Sequence, residues 1–238
     1  MLDIKLLLPL VAAQKRHVLE LYFAYWQLGW QHFSKNNLSS TTKEKQIRLL
    51  EKAIRKDFPL KNNLLAKLQQ AFVAENLSLY LLLDLLSAWK YLANEAAIKT
   101  EAQLSDIIGY AASPLARMIM ALNNEVPSTY LPMQSLLCAM MWYNLTEQKS
   151  PLLQKIKLSA KQKNSKLNGL LQNAAVLLAI VSRKRLKFQM ALLLNRLNII
   201  LQNNKQAQTS ILDELKIFLY SIWQFIMVRK RTLTQKGI

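Results

Sequence analysis

Residues 22–33 read YFAYWQLGWQHF, a run of large aromatics at helical spacing with no acidic residue. Upstream, Val18, Leu21, Tyr22, Tyr25 and Leu28 fall on one stripe, which predicts an amphipathic helix over about 10–33. Trp30, Gln31 and Ser34 lie toward the side this stripe turns inward. That side is unusual for the polar Gln31 and Ser34 and sets the question of what the helix faces.

Helix signals continue on both sides of this stretch. The polar run 34–43, SKNNLSSTTK, predicts a loop. Thr41 with Glu44 fits a capping box, and the helix it opens runs to about residue 56, before Pro59. Residues 60–75 and 77–94 predict two helices with Asn76 as the cap between them. Thr100 caps a helix to about residue 123, with a kink or break expected near Ser113 because Pro114 cannot donate to the helical ladder. Pro127 and Pro132 punctuate a loop before a very apolar helix over 133–145. Further helices are expected near 150–161, 165–182, 184–203 and 210–231, the last capped by Ser210 with Asp213. No alternating strand pattern persists, and 4 glycines with 6 prolines are too few for a turn-rich sheet protein. The expectation is one all-α domain over 1–238, a bundle of about eight or nine helices.

Composition supports a large core, with 52% hydrophobic and 19% charged residues. Charge is unevenly placed. Residues 1–149 hold 16 basic and 12 acidic residues, whereas 150–238 hold 16 basic and only 2 acidic, so +14 of the net +18 lies in the second region. Such asymmetry points to an anionic partner. The lone Cys138 sits in an apolar run, reads as a small buried hydrophobe and suits a reducing, cytoplasmic setting. The start, MLDIKLLLPLVAAQKR, is signal-peptide-like only in its short apolar run; Asp3 and Pro9 argue against one.

Most catalytic constellations are missing from the sequence. The two histidines, His17 and His32, belong to no Cys/His cluster, and no Gly-rich phosphate loop or Gly-x-Ser-x-Gly elbow occurs. Magnesium-dependent diphosphate chemistry in a helical bundle requires carboxylates clustered on one face. The 14 acidic residues here are scattered, and none falls within 21–43 or 126–146.

The order and texture of the helices nonetheless resemble the squalene/phytoene synthase family. LLLPLVAAQKRHVLELYFAYWQ resembles the family's opening, and YFAYWQLGWQHFS aligns with the run that holds its first aspartate-rich motif. TEAQLSDIIGYAASPLARMIMALNN (100–124) is similar to a second family segment, with Leu104, Ala112, Ser113, Ala116 and Arg117 matching in character and Tyr110 one turn from the family's tyrosine. LYLLLDLLSAWKYLAN resembles the helix with the family's acidic pair but keeps only Asp84, and MQSLLCAMMWYNLTEQ (133–148) stands at the second aspartate-rich motif without an aspartate.

The resemblance implies a prenyl-synthase-like bundle around a central cavity, which in active members joins two isoprenoid diphosphates with magnesium. On this alignment Trp30, Gln31 and Ser34 replace the first motif, and Trp142, Tyr143 and Asn144 replace the second. Asp84, Tyr110, Ser113, Arg117 and Gln134 are further cavity candidates. The expected protein is a catalytically degenerate member without metal or other cofactor, its aromatics plugging a former ion site. Its expected partners are an isoprenoid or lipid, an anionic membrane surface or a protein. The rival expectation is an active prenyltransferase with displaced magnesium ligands, in which Asp84, Glu101 or Asp106 meets another carboxylate. A purely structural interaction module is the third.

The basic end adds a peripheral membrane expectation. In 210–231, Ile217, Phe218, Ile222, Phe225 and Ile226 form an apolar face beside Trp223, and Arg229, Lys230 and Arg231 follow. An apolar, aromatic and basic-ended helix can lie on an anionic bilayer. The clusters KIKLSAKQKNSK (155–166) and RKRLK (183–187) broaden the positive surface, but no nucleic-acid motif accompanies them, so nucleic acid is not the expected partner.

Overall fold

The computed structural model describes residues 4–33, 38–55, 63–94, 100–147, 156 and 158–203. Among them are nine α-helices and no strand. They are α1 (Ile4–Leu7), α2 (Arg16–Phe33), α3 (Ser40–Ile54), α4 (Asn63–Ala74), α5 (Tyr80–Asn94), α6 (Glu101–Leu122), α7 (Leu131–Glu147), α8 (Ala160–Leu177) and α9 (Lys184–Asn203). Short 3-10 turns cover Leu8–Leu10, Ala13–Lys15, Pro127–Tyr130 and Leu178–Ile180. The all-α bundle expected from periodicity is what the chain forms. The expected helix over 210–231, with Trp223 and Arg229 to Arg231, and the position of Ser34 lie outside the described residues.

One apolar core runs through the bundle. α6 occupies its middle, with α5 and α2 on one side and α7 on the other, and α8 and α9 close over α7. Trp26 of α2 and Trp142 of α7 are among the largest fully buried side chains. Each such residue contributes roughly 1.5–3 kcal/mol or more by leaving water, and each finds a partner for its indole N–H. Trp26 Nε1 donates to the Ala111 carbonyl at 3.1 Å, and Trp142 Nε1 to the Lys163 carbonyl at 3.2 Å.

α6 carries Pro114 in its interior and is continuous through it, so of the kink or break expected near Ser113 the break does not occur. Proline removes one ladder donor, which loosens the carbonyls of the preceding turn. Side chains of the flanking helices engage carbonyls on either side of Tyr110 O, the acceptor that loses its donor. Trp26 takes Ala111 O, Gln134 Nε2 donates to Gly109 O at 3.4 Å, and Cys138 Sγ lies 4.0 Å from Ile108 O. Pro114 itself is buried, as are Ala111, Ala112, Leu115 and Ala116 of the same helix.

Several local signals act as read and others are displaced. Thr100 forms a full capping box with Gln103. Asn76 (φ 53°) ends α4 in the left-handed conformation, with Leu77 N–H bonded to Phe72 O at 2.8 Å. Asn124 (φ 54°) ends α6 the same way, through Glu125 N–H to Met120 O at 3.0 Å. Ser39, not Thr41, caps α3, by accepting from Thr42 N–H at 3.2 Å. Pro132 lies in the first turn of α7, where its missing N–H costs nothing, so the loop ends earlier than expected. α8 starts at Ala160 from a capping box of Ser159 with Gln162; Ile156, Leu158 and Ser159 are not helical, so the helix expected near 150–161 does not run through to its expected end, and residues 150–155 and 157 lie outside the described residues.

The helix expected over about 10–33 is α2, and it begins at Arg16. Residues 8–11 instead form a strap held by side chains from three elements. Arg16 Nε donates to Leu8 O (3.1 Å), Asn123 Nδ2 to Leu10 O (3.0 Å), and Arg185 Nη2 to Pro9 O (3.1 Å) and Val11 O (2.9 Å). The strap's Leu7, Leu10 and Val11 are buried, so these bonds lock apolar residues into the core.

Candidate functional site

Two concavities flank α5. The first is an apolar groove of about 320 Å³ between α2, α3 and α5. Tyr25, Leu28, Gly29, His32 and Phe33 form one wall, Gln46, Leu49 and Leu50 the other, and Trp89 the back. Gly29 lets α2 and α5 approach closely: a Cβ built on it would lie 2.0 Å from the Trp89 indole. The indole is wedged between the rings of Tyr25 (5.0 Å) and Phe33 (5.5 Å). At the rim, His32 Nε2 pairs with Gln46 Oε1 at 2.8 Å. Tyr25 Oη and Trp89 Nε1 are buried and find no hydrogen-bond partner among the described residues. An unmet buried polar atom costs about 1–3 kcal/mol, so this corner is held by aromatic packing against a polar penalty. Burial pushes the Tyr25 phenol well above its ordinary range.

The second concavity, of about 580 Å³, lies where the ends of α4 and α6 meet the starts of α2 and α5. Here the structure brings two sequence candidates together. Arg117 Nη1 donates to Asp84 Oδ2 at 2.6 Å, and its guanidinium carbon lies 4.7 Å from the Tyr130 ring centre. The interaction with Tyr130 is the largest influence on Arg117 and raises its pKa; burial opposes this and the Asp84 charge adds to it. Lys15 pairs with Glu75 at 3.3 Å. Glu125 is buried and accepts from Ser182 Oγ at 2.7 Å and from the Arg183 backbone N–H. Tyr22, buried beside this cavity, donates to Leu81 O at 3.1 Å; burial first, and then the Asp84 charge, raises its pKa.

The other sequence candidates separate. Trp30 is buried and stacks on Trp26 at 5.8 Å, and Trp142 is buried on α7. Tyr143, Asn144, Ser113 and Gln134 are half-buried. Gln31 is exposed, contrary to the inward placement expected: the buried face follows Tyr22, Tyr25, Trp26 and Gly29, and Gln31 falls outside it. Leu28, expected on the core stripe, is 56% exposed at the groove mouth. Tyr110 is also exposed and faces Tyr91 at 4.9 Å, so it lines neither concavity described above. Asp106 points outward and Glu101 is half-buried near the start of α6. Among the described residues no three His, Cys, Asp or Glu side chains form a group able to hold a metal ion.

Sequence reasoning missed Gly29, Trp89, Lys15, Glu75, Glu125 and Tyr130. Gly29 carried a usable signal, since a glycine inside an apolar helix often marks close backbone approach. The remaining contacts join residues far apart in the chain. No protein-family model matches the chain, and no curated protein matches it.

Proposed function

We propose that the chain is a catalytically degenerate squalene/phytoene-synthase-like protein that binds an isoprenoid or related lipid near a membrane. The groove between α2, α3 and α5 carries the reading. Its walls are aliphatic and aromatic, it opens past exposed Leu28 and Leu49, and it is built by the aromatic helix that the resemblance aligns with the first aspartate-rich motif. Apolar walls with few polar groups suit a ligand recognised by hydrocarbon shape rather than by charge. Trp30 and Trp142 occupy core volume where the resemblance places ion-binding carboxylates.

A second reading, an active prenyltransferase with displaced magnesium ligands, draws on Glu75, Asp84 and Glu125 lining one cavity. Each of these carboxylates already holds a partner, which weighs against a shared divalent ion. Asp84 is taken by Arg117, Glu75 by Lys15, and Glu125 by Ser182 and the Arg183 N–H. Incubating the full chain with farnesyl or geranylgeranyl diphosphate and magnesium separates the readings. The binding protein returns the isoprenoid unchanged; joined hydrocarbon product above background rejects it. Native mass spectrometry after exposure to lipid extract tests the third reading. A purely structural module carries no bound lipid, whereas the proposed binder does and loses it in Leu28→Gln.

A further inference from the structure

The positive half of the molecule has a corner whose residues no internal role accounts for. Residues 158–203 contain eight Lys or Arg and no Asp or Glu, so the exposed surface of α8 and α9 carries one sign of charge. Some of these cations are tied inward. Arg185 holds the strap at Pro9 and Val11, and Lys187 Nζ donates to Ala179 O at 3.0 Å. Arg183 and Lys184, at the turn into α9, are exposed and have no ion-pair partner among the described residues. The nearby carboxylate that could neutralise them, Glu125, is buried and spent on Ser182 and the Arg183 N–H. Its placement at the α9 N-terminus suits the helix dipole.

Three aliphatic side chains on the segments that meet at this turn stand in solvent. Val176 is 69% exposed and Ile180 45%, on the α8 end and the 3-10 turn leading to Arg183. Val126, 60% exposed, follows Glu125 and is therefore brought to the same corner by the clamp on Ser182 and Arg183. Aliphatic side chains rimmed by lysine and arginine match the chemistry of an anionic bilayer surface: hydrocarbon below the headgroups, phosphate at their level. Nucleic acid would use the cations but has no use for exposed valine and isoleucine.

We propose that this corner, made by Val126, Val176, Ile180, Arg183 and Lys184, docks the chain on an anionic phospholipid bilayer. It shares no residue with the groove or with 210–231, and no helix among the described residues is long and apolar enough to cross a membrane. Docking here would run through the end of α8, the turn that follows it and the start of α9.

The test is vesicle co-sedimentation of the full chain, using phosphatidylcholine alone or with about 30 mol% phosphatidylglycerol, near physiological salt. Binding should require the anionic lipid. Arg183→Gln with Lys184→Gln should weaken it about 30-fold, from roughly fivefold per basic residue at the surface. Val176→Ser with Ile180→Ser should weaken it about tenfold at constant charge. All four positions are exposed, so helicity by circular dichroism should be unchanged, and Leu28→Gln should bind vesicles like the parent. Equal binding to neutral vesicles overturns the proposal. So does full binding by both corner variants, or a loss caused only by Arg229→Gln, Lys230→Gln and Arg231→Gln. Tighter binding to a single-stranded oligonucleotide than to vesicles, unaffected by the Val176 and Ile180 changes, overturns it in favour of nucleic acid.

Discussion

Replacing Gly29 by alanine sets two magnitudes of opposite sign against each other. Helix propensity favours the change by about 1 kcal/mol, because glycine gains no side-chain contact and loses more backbone freedom. The new Cβ, however, would lie 2.0 Å from the Trp89 ring, and ordinary contact begins near 3.4 Å. α2 and α5 must therefore part by about 1.4 Å, or Trp89 must leave a slot bounded by Tyr25 and Phe33. Overpacking of this kind costs about 1–3 kcal/mol, and a rigid indole places it at the upper end. The expected net effect is about 2 kcal/mol of destabilisation, a fall of roughly 1 M in the urea midpoint followed by circular dichroism. Gly109 and Gly169 provide the contrast, since a Cβ on either meets nothing within 4 Å. Alanine there should stabilise by about 0.5–1 kcal/mol. In a Trp89→Leu background the Gly29→Ala cost should largely vanish, giving a coupling of about 2 kcal/mol. If Gly29→Ala stabilises the chain as the two controls do, the close packing of α2 on α5 described here is wrong.

Three further outcomes follow from the charged and thiol groups. Burial pushes the Cys138 thiol up to about 12 from 9.0, so native Cys138 should resist iodoacetamide at a pH where the urea-unfolded chain reacts. Between those values the folded chain keeps a proton that the unfolded chain loses. Stability should therefore fall by up to about 1.4 kcal/mol per pH unit from this group, seen as a flatter alkaline profile in Cys138→Ala. Tyr22 and Tyr25 act in the same direction above pH 10, while buried Lys43, whose pKa is lowered by burial, acts in the opposite one. Glu125→Gln should cost about 2 kcal/mol in thermal unfolding, since a buried carboxylate with two donors is lost, and a change under about 0.5 kcal/mol would contradict the clamp. Asp84→Asn should cost only about 0.5 kcal/mol, because both partners of its ion pair are more than a third exposed. A loss above about 2 kcal/mol would mean that this cavity's charges hold the fold.

What could be read from sequence was whatever depends on neighbours in the chain. The caps at Thr100 and Asn76 and the burial of Trp26 and Trp30 follow from local chemistry or from helical period. The helix continues past Pro114, and the bonds that Trp26 and Gln134 make to carbonyls near it come from helices distant in sequence. Ser39 displaced Thr41 because several hydroxyls in one polar run can each cap, and the backbone decides among them. Gln31 was placed inward by too wide a stripe. Asp84 and Arg117 were each singled out, but their pairing across 33 residues is a fact of packing between α5 and α6. The groove exists only because Gly29 meets Trp89, a contact no periodicity encodes.

Photoaffinity labelling with a diazirine-bearing geranylgeraniol tests the binding claim most directly, because it reports where an isoprenoid sits. Saturable labelling of the full chain, mapped to residues 25–33 and 46–50 and lost in Leu28→Gln, is the expected result. Absence of saturable labelling, or labels confined to the cavity around Asp84 and Arg117, would contradict it.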